Sequence, residues 1–332
     1  MLLVPTPWGG AAARPAPLTV AVGTRDAFVF RHLPLGIAQA MDFFAAEGVK
    51  VSLQPYASDL LALQAVQRGA ADVCAVDFEL LLRSIDLSRN LDARCFVVQG
   101  RAPQAALGVS KRWLTRFGTL KDAPLGRVGV SSLGSLSHTV ACLALKQAGV
   151  SPAAVDFVPL PSEEEATSAL RTGRVQALCH GDLLMTRLEQ QGDVRIISDA
   201  RTLSGTQALF AGGVPGGCLV APAAFLQKRS TQAQALAHGV VHALKWLQTA
   251  GPADIVKMVP PLLTGKERSV YLSAFASARE TFSPDGLMPE GGASTSLRAL
   301  ALVAPDTSAA RIQPERRFTQ DFARKAKVKF SA

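Results

Sequence analysis

The sequence predicts an α/β protein with two lobes, in which each lobe holds a largely parallel sheet with helices on both faces. Short apolar strands alternate with amphipathic helices from Leu18 onward, and this alternation is typical of parallel sheets. A unit of helix, glycine, strand, polar loop and helix occurs twice, over residues 63–82 and 168–185. We expect each lobe to contain one copy of this unit; a chance similarity is the alternative, because such units are common.

The first part of the chain supplies three strands and three helices of this pattern. Strands are expected over residues 18–22, 49–54 and 72–76, and helices over residues 34–46, 58–69 and 78–84. Ser58 is a favourable N-cap, and Gly48 and Gly69 are favourable helix ends.

The middle of the chain repeats the scheme. Strands are expected over residues 127–131, 155–158 and 175–180, and helices over residues 135–147 and 162–173. Ser162 and Glu165 have the spacing of a capping box, in which each side chain binds a free backbone N–H of the other residue.

Two extended segments, residues 96–100 and 196–200, flank the middle block and are candidate hinge strands. The first lobe is then expected to hold residues 18–100 and 201–332, and the second lobe residues 101–200. Four further helices, over residues 233–250, 252–259, 265–282 and 291–302, are expected to form a layer on the first lobe. Residues 1–17 are excluded from the fold as the remnant of a signal peptide or an unstructured lead-in.

The composition is that of a compact, soluble protein with a positive net charge. Hydrophobic residues make up 48% of the chain, and the formal net charge is +9. No apolar run reaches the roughly 18–20 residues of a membrane-spanning helix. The basic residues are scattered rather than interleaved with aromatics, so we expect anionic ligands and not nucleic acid. Their densest group lies in a predicted solvated C-terminal tail: Arg324, Lys325, Lys327 and Lys329.

The five cysteines are widely spaced and show no metal-ligand spacing. We expect them to be small buried hydrophobes, with a single disulfide as the alternative. No cofactor and no metal are expected.

The chain resembles the periplasmic substrate-binding proteins of the nitrate, sulfonate and taurine type, which also include binders of thiamine precursors. The resemblance covers residues 18–327, nearly the whole chain, and depends on an ordered set of segments rather than on one motif. Those segments are TVAVG, RHLPLGIA, EGVKVSL, LQAVQRGAADVCAV, LKDAPLGRVGVSSLGSLSH, ALRTGRVQALCHGD and FSPDGLMPEGG.

This resemblance implies the type II periplasmic binding fold, in which two lobes joined by two hinge crossovers clamp a solute. It further implies a monomeric, periplasmic component of an ABC transporter that delivers its solute to a permease in the inner membrane. The sequence departs from the family in lacking a clear signal peptide, and its cleft residues reproduce no single subgroup. Export is therefore implied by the family alone, and the identity of the solute is open.

In open α/β sheets, ligands bind beyond the carboxyl ends of the strands, and this rule selects five loops. Gly134 permits a close backbone approach to a ligand, and Ser135 begins a helix whose free N–H groups attract sulfonate, carboxylate or phosphate oxygens. Phe30, like Phe28, is either a wall of the cleft or a plug in the lobe. Asp77 would repel an anion unless it is paired with an arginine, so it is also a candidate for reading an amine or hydroxyl. The candidate ligand-binding residues are Phe28, His32, Ser58, Asp77, Phe78, Ser132, Gly134, Ser135, His138, His180 and Asp182.

For the candidate residues the alternatives are ordinary structural roles: helix capping for the serines, and a satisfied core or capping position for the histidines. An enzyme on the same fold, similar to desulfinases or thiamine-pyrimidine synthases, is the main alternative function. Such enzymes need a reactive cysteine in the cleft, and the loop after the first strand has none. We therefore expect a binding protein for a small organic anion and no catalytic residues, with a pyrimidine-type thiamine precursor as the alternative solute.

Overall fold

The computed structural model describes residues 17–24, 29–87, 92–117, 125–259, 268–303 and 312–332. In these ranges the chain forms two five-stranded sheets covered by helices. The strands are β1 Leu18–Val22, β2 Val51–Pro55, β3 Val73–Asp77, β4 Ala93–Val98, β5 Ala105–Ser110, β6 Arg127–Val130, β7 Asp156–Pro159, β8 Ala177–Gly181, β9 Val194–Asp199 and β10 Gly217–Pro222. The predicted α/β class is confirmed.

The helices occupy the connections between the strands and most of the last third of the chain. The α-helices are α1 Leu33–Ala40, α2 Phe43–Ala46, α3 Asp59–Gln67, α4 Phe78–Leu87, α5 Lys111–Phe117, α6 Leu136–Gln147, α7 Glu163–Arg171, α8 Leu184–Gln190, α9 Leu203–Phe210, α10 Ala223–Lys228, α11 Ser230–Thr249, α12 Pro252–Met258, α13 Arg268–Ala278, α14 Gly292–Val303 and α15 Asp321–Phe330. Short 3-10 turns cover Phe30–His32, Pro152–Ala154, Arg279–Thr281 and Pro314–Arg317.

The two sheets follow the same plan. The first has the strand order β2-β1-β3-β10-β4, and the second has the order β7-β6-β8-β5-β9. In the first sheet β1 is parallel to β2 and β3, and β10 is antiparallel to β3 and β4. In the second sheet β6 is parallel to β7 and β8, and β5 is antiparallel to β8 and β9. We call each sheet with its helices a lobe, the first lobe and the second lobe.

The chain passes between the lobes twice, and the second passage comes later than the sequence predicted. The first follows β4 and leads into β5. Leu209 and Phe210 of α9 still pack in the apolar core of the second lobe, and the first sheet takes up the chain only at Gly217. The second passage therefore lies between Phe210 and Gly217 and not near residue 200. The segment predicted as a hinge there is β9, a strand of the second sheet.

Two predictions about helices need correction. The helix predicted over residues 34–46 is divided into α1 and α2, because Asp42 has a left-handed backbone with φ of 56°. The basic tail is not a solvated extension but the helix α15, which packs on α11. Ala323 and Ala326 are buried in that contact, while Lys327 pairs with Asp285 at 2.8 Å.

Helix α14 connects the lobes physically. Its Leu300 belongs to an apolar cluster of the first lobe, whereas Ala299 packs in the core of the second lobe. The helical layer predicted on the first lobe is present in α11, which packs on α1, α2 and α15. Helix α14 extends this layer across the boundary and touches both α4 and α6.

The cysteines lie inside the sheets and helices as expected. Cys74, Cys95, Cys142, Cys179 and Cys218 are all buried and all free. No helix in the described ranges is long and apolar enough to cross a membrane.

Candidate functional site

Polar residues follow the parallel strands of both sheets, and the two lobes meet near them: a Cβ atom at Gly134 would lie 3.1 Å from Arg83 Nη1, and Thr139 donates a hydrogen bond to Glu79. In the first lobe they follow β1, β2 and β3; in the second lobe they follow β6 and β8. Because β6 and β8 are neighbours, with Val130 opposite Cys179, the loop that begins at Ser131 and the strand end at His180 lie side by side. The candidates of the second lobe thus share one edge of one sheet.

In the first lobe, a single guanidinium holds two carboxylates. Arg31 Nη1 donates to Asp77 Oδ2 at 2.8 Å and to Asp59 Oδ2 at 3.1 Å. Arg31 Nη2 donates to the carbonyl of Gly23 at 3.2 Å, and the backbone N–H of Asp77 donates to Asp59 Oδ2 at 3.0 Å. The predicted Asp77 is therefore paired with an arginine, the condition under which it fits a cleft for anions.

Two carboxylate oxygens of the same cluster are available to accept further hydrogen bonds. Oδ1 of Asp59 and Oδ1 of Asp77 are both buried, and within the part of the chain that the structure describes neither has a hydrogen-bond partner. Burial and the neighbouring Asp77 raise the pKa of Asp59 to about 7, against the opposing charge of Arg31. Burial alone would lower the pKa of Arg31, but the two carboxylates raise it above its usual value, so Arg31 stays charged.

Gly23 is required by this arrangement. A Cβ atom at Gly23 would lie 1.8 Å from Oδ1 and 2.6 Å from Cα of Asp59. The end of β1 and the start of α3 are therefore in direct contact, and only a glycine leaves room for the aspartate.

His32 follows Arg31 in the turn after β1 and points into the core of the first lobe. Its side chain is fully buried, and its Nδ1 lies 3.1 Å from Nε2 of Gln99. Burial, and then the charge of Arg31, lower the pKa of His32 well below its usual value, so the ring is neutral. Its Nε2 has no hydrogen-bond partner in the described ranges. Ser58 caps α3 by accepting a hydrogen bond from the backbone N–H of Leu61 at 3.3 Å.

The predicted aromatic wall is not formed by the described phenylalanines. Phe78 is fully buried and meets Phe318 edge-on, with ring centroids 6.4 Å apart. Phe30, 3% exposed, packs edge-on against Tyr271 at 5.1 Å. Both rings fill the core of the first lobe. An aromatic ring buried there loses more of its contact with water than a ring that lines an open cleft. Phe28 lies outside the described residues.

In the second lobe, three hydroxyls form a compact set at the start of α6. Ser131 Oγ lies 2.8 Å from Ser137 Oγ and 3.1 Å from Ser135 Oγ, and Ser135 and Ser137 are 2.8 Å apart. Ser135 Oγ donates to the carbonyl of Ser132 at 2.7 Å and caps the helix at His138 N. Ser132 thus takes part through its backbone.

Gly134 and His138 complete that loop. Gly134 has a φ of +76°, and its N–H donates to His138 Nδ1 at 3.0 Å. Burial, and then the charge of Arg83, lower the pKa of His138. A Cβ atom at Gly134 would be 3.1 Å from Nη1 of Arg83, so an arginine of the first lobe lies directly over the helix start predicted to hold an anion.

His180 of the second lobe lies within the electrostatic influence of Arg31 in the first lobe. Burial lowers the pKa of His180 to about 4, a hydrogen bond to the backbone of Leu160 opposes this, and the charge of Arg31 adds to the lowering. Its Nε2 is buried and has no hydrogen-bond partner among the residues that the structure describes. The ring is therefore neutral near pH 7.

The side chain of Asp182 is held by residues of its own lobe. Its Oδ1 accepts hydrogen bonds from Leu183 N at 3.0 Å and from Thr186 Oγ1 at 2.6 Å, and Arg201 Nη1 lies 3.6 Å away. These contacts fix the start of α8. The preceding Gly181 has open space around the position of a Cβ atom.

Several residues at this site were not singled out from the sequence. Arg31, Asp59, Glu79 and Arg83 all carry charge between the lobes, and Thr139 contacts Glu79 there. Arg31 lies next to His32 in a predicted cleft loop. The need of Asp77 for an arginine partner was the one sequence signal by which Arg31 could have been found. Glu79 and Arg83 gave no such signal, since they lie inside a helix.

The described residues contain no group of three or more histidine, cysteine, aspartate or glutamate side chains arranged to hold a metal ion.

Comparison with known proteins identifies one matching family and several solved structures with a similar fold. The sequence matches the NMT1-like family over residues 14–259, while curated proteins gave no match. A solved structure from Bordetella bronchiseptica RB50 is 38% identical, with a TM-score of 0.86 over 96% of this chain and 98% of that one. The periplasmic aliphatic sulphonate binding protein SsuA from Escherichia coli is 17% identical, with a TM-score of 0.70 over 93% and 99%. The periplasmic nitrate-binding protein NrtA from Synechocystis PCC 6803 is 14% identical, with a TM-score of 0.68 over 94% and 88%. These likenesses confirm the periplasmic binding fold.

Proposed function

This chain belongs to the NMT1-like family, and we propose that it is the solute-binding component of an ABC-type importer. The observation that carries the proposal is a set of polar atoms near Arg31 that are buried and have no hydrogen-bond partner among the described residues: Asp59 Oδ1, Asp77 Oδ1 and His180 Nε2. Buried polar atoms without partners are costly. A solute that enters between the lobes and satisfies them is the simplest reason for their presence.

The proposed solute carries hydrogen-bond donors at one end. Carboxylate oxygens are acceptors, so the free oxygens of Asp59 and Asp77 call for N–H or O–H groups. The charge balance agrees, because among the described residues of this cluster two carboxyl groups, those of Asp59 and Asp77, share the single guanidinium of Arg31. An ammonium or amino group on the solute compensates the excess negative charge.

At its other end the proposed solute carries an acidic group. Arg83 lies over Gly134, next to the N-terminus of α6, where backbone N–H groups and the helix dipole favour an anion. A small organic anion that also bears an amino group fits both ends. An uncharged amino-substituted heterocycle of the pyrimidine type is the second candidate, favoured by the neutral ring of His180, which offers no positive charge.

The proposed mechanism is closure of the two lobes around the solute. Each lobe supplies half of the contacts, so the solute binds the closed arrangement more tightly and shifts the population towards it. The E. coli and Synechocystis neighbours, which are periplasmic, support a periplasmic location and delivery of the solute to a membrane permease. An enzymatic role through a thiol has little support, because burial raises the pKa of Cys74, Cys142, Cys179 and Cys218.

A screen by thermal unfolding tests the proposal. The panel contains taurine, ethanesulfonate, benzoate and 4-amino-5-hydroxymethyl-2-methylpyrimidine, each followed by isothermal titration calorimetry. A solute present at about 100 times its Kd stabilises the protein by about 2.7 kcal/mol. We expect amino-bearing members to stabilise the protein more than ethanesulfonate or benzoate, and Asp77→Asn to reduce that preference. If no small anion and no pyrimidine raises the unfolding temperature, the proposed function is wrong.

A further inference from the structure

Helix α4 of the first lobe meets the first turn of α6 of the second lobe through one buried carboxylate. Thr139 Oγ1 donates to Glu79 Oε1 at 2.6 Å, across the boundary between the lobes. Arg83 Nη2 donates to the same oxygen at 3.2 Å. Glu79 is 3% exposed and Thr139 is fully buried. This hydrogen bond is therefore shielded from water.

The contact shares no hydrogen bond with the polar cluster around Arg31, although the charge of Asp77 in that cluster acts on Glu79. The hydrogen bonds of Glu79 run to Thr139 and Arg83, and none of them involves Arg31, Asp59 or His180. Glu79 is therefore placed to affect the relation between the lobes without providing a surface for the solute.

We propose that Glu79 is a positioning residue whose hydrogen bond to Thr139 holds the lobes in the closed arrangement. This inference rests on the proposed function, because closure around a solute is what gives the contact its purpose. A threonine hydroxyl and a carboxylate across a movable boundary form a bond only when both helices are in place. The bond therefore favours the closed arrangement by the difference between this buried hydrogen bond and the bonds that both groups make to water once the lobes part.

The surroundings of Glu79 make the contact dependent on pH. Burial raises the pKa of Glu79 to about 7; the Thr139 hydroxyl and Arg83 oppose this rise, and the charge of Asp77 adds to it. The other titratable groups of α6 near this contact are His138, whose pKa Arg83 lowers, and Cys142, whose pKa Glu79 helps to raise. The other elements packed on α4 are α14, β3, β4 and the turn Pro314–Arg317. Besides Asp77 of β3, their charged side chains are Arg298, Arg94, Glu315, Arg316 and Arg317.

Proton linkage follows from this raised pKa. When the lobes separate, water reaches the carboxylate and its pKa returns towards the ordinary value of 4.5. Closure then takes up a proton in the range between these two values. Below pH 4.5 this proton linkage favours the closed arrangement fully, and the preference for closure is lost as the pH rises through about 7.

Distance measurements on the protein without a solute test the inference. Leu61 and Leu133 are exposed, at 41% and 59%; Leu61 lies in the first turn of α3 in the first lobe, and Leu133 lies in the loop before α6 in the second lobe. Spin labels on Leu61→Cys and Leu133→Cys report the separation of the lobes by double electron–electron resonance. The native cysteines are buried, so labelling is selective. We expect the ratio of short to long distances to fall on the order of tenfold between about pH 5.5 and about pH 8.

Variants separate a positioning role from a merely structural one. Thr139→Val removes the hydroxyl at nearly constant shape and is expected to shift the distances towards the open arrangement. Thr139→Ser restores the donor and is expected to restore the distances. Glu79→Gln is expected to flatten the pH dependence. Thr167→Val is the matched control, because the Thr167 hydroxyl bonds the Glu163 carbonyl within α7 at 2.7 Å.

The possible results are distinct. If Thr139→Val keeps the wild-type distances, or if Glu79→Gln keeps the wild-type pH profile, the inference is overturned. Circular dichroism and thermal unfolding of each variant establish that it is folded, and Thr139→Ser provides the folded comparison if Thr139→Val is not. The solute screen is independent of these distances, so failure of the screen alone contradicts the proposed function, and failure of the distance shift alone contradicts the role of Glu79.

Discussion

Arg31 Nη1 lies 2.8 Å from Asp77 Oδ2, and this ion pair joins the turn after β1 to the end of β3. The same nitrogen is 3.1 Å from Asp59 at the start of α3. One side chain, itself 26% exposed, therefore sets the relative positions of three strand ends. Its removal affects both the fold of the first lobe and any solute bound there.

Replacing Arg31 with Met is expected to lower the free energy of unfolding by about 2 kcal/mol at neutral pH. Loss of one partner leaves buried carboxylates uncompensated, which costs about 3–5 kcal/mol for a fully buried pair, and partial exposure reduces that figure. The loss should be smaller at pH 5.5, because Asp59, with a pKa of about 7, takes up a proton there. Urea unfolding at both pH values measures the difference.

The matched control for that variant is Arg94→Met. Arg94 pairs with Asp92 at 3.5 Å on the surface, and both side chains are exposed, so we expect a loss of less than about 0.5 kcal/mol. Equal losses in the two variants would show that the Arg31 cluster has no special role in stability.

Gly23→Ala and Gly181→Ala should separate stability from binding. The added methyl group at Gly23 overlaps the backbone of Asp59, so we expect a marked fall in unfolding temperature. The methyl group at Gly181 meets no atom within 4 Å and lies at the carboxyl end of β8, so the protein should stay stable while any solute found in the screen binds less tightly. Thermal unfolding and calorimetry check both results; a stable Gly23→Ala variant would refute the close contact.

His180 is expected to make the protein less stable as the pH falls from about 6.5 to 4. Its pKa in the folded protein, about 4, is below the ordinary value of 6.5. Above pH 6.5 the histidine is neutral in both the folded and the unfolded chain, so it does not oppose folding. Below that pH the unfolded chain takes up a proton that the folded protein cannot bind, and this lowers the free energy of unfolding. In His180→Asn this part of the pH dependence, about 2 kcal/mol, should be absent.

The measurement is urea unfolding of both proteins at several pH values from 4 to 7. The other buried histidines act in wild type and variant alike, so the difference between the two curves isolates His180. Parallel curves would mean that the ring of His180 is not kept neutral by its surroundings.

Phe322→Ala should show that the C-terminal helix is part of the fold. Phe322 meets Phe96 edge-on at 5.8 Å and packs against the main apolar cluster of the first lobe. We expect a loss of about 2 kcal/mol, since a half-buried ring contributes less than the roughly 3–5 kcal/mol of a fully buried one. Lys325→Ala, an exposed position on the same helix, is the control and should change little. If both variants unfold like the wild type, the helix contributes nothing to stability.

The sequence was a good guide to local structure wherever a pattern has a local cause. Ser58, Ser135 and Ser162 each cap a helix as predicted, because a cap depends only on neighbouring backbone. The capping box at Ser162 is half formed, since the Glu165 carboxylate binds Arg174 at 2.9 Å. Strand β5 was missed because its residues, AALGVS, have low strand propensity and are held by pairing with β8 and β9.

Among the candidate site residues, the sequence indicated the loops better than the roles. The rule that ligands lie beyond the carboxyl ends of strands selected the turns of His32, Asp77, Ser135 and His180. Which side chains face the space between the lobes depends on packing that no local pattern encodes. Phe78 is adjacent to Asp77 in sequence yet is fully buried, because a helix starting at that point turns its first apolar residue into the core.

By itself, the sequence determined the alternation of strands and helices, the helix caps and the burial of the cysteines, since each follows from hydrophobic periodicity and short-range hydrogen bonding. Only the tertiary structure decided that Arg31 is shared by Asp59 and Asp77, that His180 is neutral, and that Glu79 meets Thr139. These properties depend on distances between residues far apart in the chain. Electrostatic energies and pKa values change steeply with such distances and with burial, and both are set only when the two sheets are assembled.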